Sequence, residues 1–121
     1  MTKSISVQGI YAGISVADFE QGLAFYTSLM GRAPDDKPMP NMAQWRNMGA
    51  AGLQLWHDSG RAGKSNATIV VPDLAIERAR IEAAGLTLGP TATGNFGAVA
   101  QISDTEGNLV TLAEPPKGFA G

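Results

Sequence analysis

The chain has 121 residues, 44% apolar and 17% charged, enough for one compact domain with its own core and too apolar for intrinsic disorder. Nine Lys and Arg stand against eleven Asp and Glu, a formal charge of −2, and the cations are scattered, which argues against a nucleic acid or an anionic membrane as partner. With no cysteine, no secretory apolar region and no apolar run near membrane-span length, a cytoplasmic protein without disulfides or thiolate metal sites is expected.

A strand is predicted through Ile10–Val16, with Ile10, Ala12, Ile14 and Val16 on one face and Tyr11, Gly13 and Ser15 on the other. Asp18 then caps a helix, with Gln21 completing a capping-box pattern. Phe19, Leu23, Tyr26 and Met30 make its apolar stripe, and Gly31 supplies a left-handed end. Residues 32–41, with three prolines, read as a loop. Strands at Ala43–Met48 and Leu53–His57 follow, joined through the turn-rich Gly49-Ala50-Ala51-Gly52. A second loop, Asp58–Ser65, leads to a strand from Asn66 to Val71.

Ile69-Val70-Val71-Pro72-Asp73-Leu74 repeats the pattern of Ile14-Ser15-Val16-Ala17-Asp18-Phe19, 55 positions later. Asp73 caps a second helix with a thinner stripe of Leu74, Ile81 and Ala84, ended by Gly85; Arg78 and Arg80 sit in its later turns, where cations suit the dipole. Strands at Gly97–Ser103 and Leu109–Ala113 are joined by Asp104-Thr105-Glu106-Gly107-Asn108, a strong turn signal. Residues 1–121 therefore read as one domain of two repeated units, about 5–58 and 64–115, each β–α–β–β–β or close to it.

Three segments together resemble the vicinal oxygen chelate superfamily, which includes glyoxalase I, extradiol dioxygenases and bleomycin-resistance proteins. They are Ile14-Ser15-Val16-Ala17-Asp18, then Leu23-Ala24-Phe25-Tyr26 with Leu29-Met30-Gly31, and Asp104-Thr105-Glu106-Gly107-Asn108-Leu109-Val110-Thr111-Leu112. The resemblance implies an α+β fold of two βαβββ units forming a curled, cup-like sheet, within a homodimer. It also implies where a metal would sit, on the first and last strands of each unit, at Tyr11, Gln54, Asn66 and Thr111. None of these is His, Asp or Glu, so no metal and no other cofactor is expected. That departure points to the metal-free members, most of which bind and sequester small molecules while a minority isomerise or cyclise them.

On the strands, one face is apolar and the other mixes aromatic and uncharged polar groups, a lining that suits a planar, partly polar ligand. Trp56 stands with Gln54 on that second face, as a pocket wall or a dimer-interface side chain. Trp45 has no clear facing; Tyr11 could stack on or hydrogen-bond a ligand. Gln54, Asn66 and Thr111 either touch the ligand or form a neutral cluster that replaces the metal, and Phe96 lies on a flexible loop as a lid or a core plug. Met39, Met42 and Met48 fill core gaps or adapt to a ligand, and Arg46 is solvated or pairs with an anion. His57, the one histidine, shares its strand face with Leu53 and Leu55 and is not expected to be catalytic. The expected function is binding or sequestration of an aromatic compound such as an antibiotic, with a metal-free isomerase, cyclase or lyase as the alternative.

Overall fold

Each helix begins where an Asp can take up a free backbone N–H. In a computed structural model that describes residues 5–117, the Asp18 carboxylate accepts from the Gln21 N–H at 3.0 Å and opens α1 (Phe19–Met30). Asp73 does the same for the Ile76 N–H at 3.1 Å and opens α2 (Leu74–Ala83). Gly31 ends α1 at φ 78°, a conformation that costs a side-chain-bearing residue energy.

The expected strands are present as β1 (Ile10–Val16), β3 (Met42–Met48), β4 (Ala51–His57), β5 (Asn66–Val70), β7 (Gly97–Ser103) and β8 (Leu109–Glu114). Two short strands lie where the sequence reads as loop. β2 (Asp36–Met39) falls within residues 32–41, and β6 (Ala92–Gly94) falls just ahead of Phe96. Both are sheet edges, and an edge strand tolerates Pro38, whose missing N–H would break an interior ladder. Periodicity cannot announce such short, fully exposed strands.

The strands form two four-stranded sheets, β1-β4-β3-β2 and β5-β8-β7-β6, so the same order occurs in both halves of the chain. In each, the first strand runs parallel to the last, Ile14 beside Leu55 and Ile69 beside Leu112. The result is an α+β fold of βαβββ-like units whose sheets curl without closing.

One apolar cluster spans both halves: Ile14, Tyr26, Trp45 and Leu55 pack in it together with Ala67, Ile81, Ile102 and Leu112. The face alternation expected for β1, β4 and β5 is the one observed, except that Ile10, at the open start of β1, is 70% exposed. Ala84 is exposed beyond the end of α2, which leaves Leu74 and Ile81 as its buried stripe.

Long-range polar contacts join the halves. Glu106 accepts from the backbone N–H groups of Ala17 and Asp18 at 2.7 and 2.8 Å, so it, rather than Gln21, supplies the second half of the α1 cap. Within the second half, Glu114 accepts from the N–H of Leu74, the first residue of α2, at 2.7 Å. The Arg80 guanidinium donates to the carbonyls of Ser28 and Leu29 at the end of α1, a partner that its place on α2 could not reveal. Among the described residues no helix is long and apolar enough to cross a membrane.

Candidate ligand-binding site

Strand alternation places Gln54 and Trp56 on the sheet face opposite the core, and the parallel register sets Tyr11, Gly13 and Ser15 beside Gly52, Gln54 and Trp56. On the other side of β4, Gln44 lies opposite Gln54, and Asp36 of β2 lies opposite Gln44. Their side chains form a continuous polar chain across three strands. The Trp56 indole N–H donates to Gln54 Oε1 at 3.2 Å, and the Gln54 amide donates to Gln44 Oε1 at 3.2 Å. The Gln44 amide in turn donates to Asp36 Oδ1 at 3.2 Å, and Arg46 Nε lies 3.4 Å from Asp36 Oδ2. The chain fixes the tilt of the indole, because its one donor has a partner that is itself held.

At the rim of this sheet the Arg46 backbone N–H donates to Asp35, and Arg32 pairs with the same carboxylate at 2.7 Å. The backbone bond first, and the cations after it, hold the Asp35 carboxyl below its ordinary pKa. Arg46 is thus engaged with the protein's own acids.

The indole of Trp56 stands, half-buried, in a cavity of about 670 Å³ lined also by Gly13, Ser15, Asn41, His57, Asp58, Arg61, Lys64 and Ser65. Gly13 matters here for what it lacks: a Cβ would reach no closer than 3.8 Å to the indole nitrogen, so β1 leaves the ring uncovered on that side. His57 is at the rim, stacked on Phe19 with centroids 5.9 Å apart, and Lys37 Nζ lies 5.5 Å from the same Phe19 ring.

The floor of the cavity is tied to a buried network. The Ser15 N–H donates to Ser65 Oγ at 3.1 Å, and the Ser65 N–H donates to Asn108 Oδ1 at 2.8 Å. Asn108, fully buried, donates to the Ser15 carbonyl at 2.9 Å and to Asp104 Oδ2 at 2.8 Å. Asp104 also accepts the Tyr26 hydroxyl at 2.9 Å. Burial first, and the Asp104 carboxylate after it, push the Tyr26 phenol well above its ordinary pKa. Ser15, Ser65, Asn108 and Asp104 are site-supporting residues that sequence patterning does not single out; the Asp104–Asn108 stretch announces a turn, while its reach into the other half is visible only in the fold.

The other residues singled out from the sequence are dispersed. Tyr11, on the same face as Trp56, lays its ring over Gly52 and lines a separate apolar groove of about 690 Å³ between β1 and β5, with Ile10, Met48, Ala67 and Val70. Asn66 is exposed at the start of β5, opposite Leu109, and Thr111 Oγ1 accepts from the Gln101 amide at 3.0 Å. Phe96 is 57% exposed at the tip of the β6–β7 hairpin, where a turn rather than a long loop holds it, beside Val70 and Pro115 at a third hollow of about 460 Å³. Trp45 is fully buried in the core and gives its indole N–H to the Arg32 carbonyl at 2.8 Å; it lines none of these cavities. Met42 is buried, Met48 half-buried and Met39 exposed.

The four positions where the resemblance would put a metal offer a phenol, two amides and a hydroxyl. They lie on two different sheets, and Gln54 already has both amide atoms in hydrogen bonds. This donor set does not fit a divalent ion. Among the described residues no three His, Asp or Glu side chains converge elsewhere.

No family model and no curated protein matches the chain by sequence. Solved structures match it closely in fold. A glyoxalase/bleomycin resistance protein from Catenulispora acidiphila superposes with a TM-score of 0.83 at 27% identity, covering 89% of this chain and 98% of that one. TnmS3, an antibiotic-binding protein from Streptomyces, gives 0.72 at 22% identity, over 96% and 100% of the two chains. A bleomycin-binding protein complexed with bleomycin gives 0.72 at 18% identity, over 92% and 100%.

Proposed function

This chain has the glyoxalase/bleomycin-resistance fold of the vicinal oxygen chelate superfamily, and from that premise we propose that it is a metal-independent small-molecule-binding protein. It holds or sequesters a planar aromatic compound, in the manner of the antibiotic-binding proteins whose fold it shares. The observation that carries the reading is the half-buried Trp56 indole, locked through Gln54 and facing a cavity of about 670 Å³. An aromatic face with hydrogen-bonding groups around it is the lining a planar ligand needs. The chain acts as one domain of two repeated units, 5–58 and 64–115, in a cytoplasmic homodimer with no cofactor. Tyr11, Asn66, Phe96 and Thr111 are the ligand contacts to be sought across such a dimer.

Tryptophan-fluorescence titration with planar antibiotics and phenolic metabolites tests this, each compound being recovered for mass analysis. Saturable quenching that Trp56→Phe abolishes, with the compound returned unchanged, is the expected result. Quenching with an altered mass favours the second reading, a metal-free isomerase, cyclase or lyase, for which His57 and Asp58 line the same cavity. Absence of quenching by every compound overturns both.

A further inference from the structure

We propose that the Trp56 cavity selects an aromatic ligand carrying a carboxylate, with Arg61 and Lys64 receiving the anionic group while the ring lies on the indole. This rests on the cavity being the binding site.

The chain as a whole is acidic, at −2, yet this cavity is not. Its charged lining is Arg61 and Lys64 against Asp58, with His57 at the rim. Asp58 is already engaged: Oδ1 accepts from the Gly60 N–H at 3.2 Å, and Oδ2 lies 3.8 Å from Arg61 Nε. That contact uses the inner edge of the guanidinium and leaves its two terminal nitrogens for a ligand, a fork that matches a carboxylate. Lys64 forms no ion pair among the described residues.

Neutral groups in the lining can donate to the same anion. The Ser65 hydroxyl accepts from the Ser15 N–H and still has its own O–H to donate. Asn41 adds an amide at the wall. The indole N–H is spent on Gln54, so Trp56 contributes its face rather than its donor. A neutral ligand would leave Lys64 without an ion-pair partner and the terminal nitrogens of Arg61 unused, and a cationic one would meet both cations directly.

A matched set of fluorescent probes reads this charge preference: anthracene-9-carboxylate, its neutral amide and 9-aminomethylanthracene, titrated against the full chain at low and high salt. The expected order is carboxylate, then amide, then ammonium, with the carboxylate about fivefold tighter than the amide at low salt, as two solvent-exposed ion pairs allow. The advantage shrinks at 0.5 M salt. It disappears in the Arg61→Gln/Lys64→Gln variant, in which carboxylate and amide bind alike. Since both side chains are exposed, that variant is expected to fold, and its unchanged melting temperature confirms it. Gly13→Leu, which covers the indole, weakens all three probes equally. Equal binding of carboxylate and amide, with sensitivity to Trp56→Ala, overturns the charge preference and leaves the binding site standing. Tighter binding of the ammonium also overturns it. No binding of any probe overturns both.

Discussion

The Tyr26 hydroxyl donates to Asp104 Oδ2 at 2.9 Å, tying the helix of the first half to the turn of the second across 78 positions of sequence. Both groups are buried, and burial together with the facing carboxylate raises the Tyr26 pKa. A raised phenol pKa means that the folded state holds the proton more tightly than the unfolded chain. Its contribution to stability is therefore complete below the ordinary tyrosine value of about 10 and is lost as pH rises above it. In a Tyr11→Phe background, where Tyr26 is the one remaining tyrosine, tyrosinate absorbance should appear only together with unfolding. A reversible phenolate titration near pH 10 in folded protein would contradict this. Tyr26→Phe should cost about 1–2 kcal/mol at pH 7, because it leaves a buried carboxylate short of one donor.

Glu106 accepts two adjacent backbone N–H groups, those of Ala17 and Asp18, at the positive end of α1. Both bonds are charge-assisted. Glu106→Ala should therefore destabilise by about 1–2 kcal/mol, the range of a lost helix cap. Glu106→Gln, which can accept through one oxygen only, should fall between that variant and the wild type. Gln21→Ala should change stability by less than about 0.5 kcal/mol, since its side chain does not complete the cap. Urea unfolding of the three variants ranks them, and an effect of Gln21→Ala equal to that of Glu106→Ala would refute the assignment.

These two residues show how far the sequence could be read. Asp18, Asp73, Gly31 and the alternation on β4 are local signals, and they place the helices, the strands and the facing of Gln54 and Trp56 correctly. Arg80 and Glu106 look like local devices too, a dipole-matched cation and a turn acid, but each closes a contact with the other half. Chain pairing at long range sets such partners, and no spacing encodes it. The same holds for Trp45: alternation alone left its face open, and only the register that pairs it with Leu53 puts it in the core. β2 and β6 escaped because an exposed edge strand needs no apolar alternation.

Tyr11 and Gly52 are register partners on adjacent strands, with the ring of one lying over the bare Cα of the other. A Cβ on Gly52 would overlap the Tyr11 ring and come within 2.6 Å of the Trp45 carbonyl oxygen, which cannot move away as a side chain can. Gly52→Ala should thus cost about 2–3 kcal/mol through overpacking and displace the Tyr11 ring. Tyr11→Ala should relieve the ring clash but not the backbone one, so the double variant should recover only part of the loss. Full recovery in the thermal unfolding of the double variant would show that the backbone is free to adjust there.

Asn108 uses its whole side chain: the amide donates to the Ser15 carbonyl and to Asp104, and the oxygen accepts from the Ser65 N–H. Because the side chain is fully buried, water cannot replace these bonds without opening the joint between the halves. Asn108→Ala should destabilise by about 2–4 kcal/mol, the sum expected when a buried carbonyl and a buried carboxylate lose a donor and a part-buried N–H loses its acceptor. Asn108→Asp keeps the shape but turns a donor into an acceptor against Asp104 and the Ser15 carbonyl. Two carboxylates would then face each other inside the protein, so this near-isosteric change should be the more damaging of the two at pH 7. The same bonds hold Ser15 and Ser65 at the floor of the Trp56 cavity, so the Ser65 amide should exchange with deuterium faster in Asn108→Ala, under conditions where the protein is still folded. Unchanged protection at Ser65, or an Asn108→Asp variant as stable as the wild type, would show that the turn holds the cavity floor by some other contact.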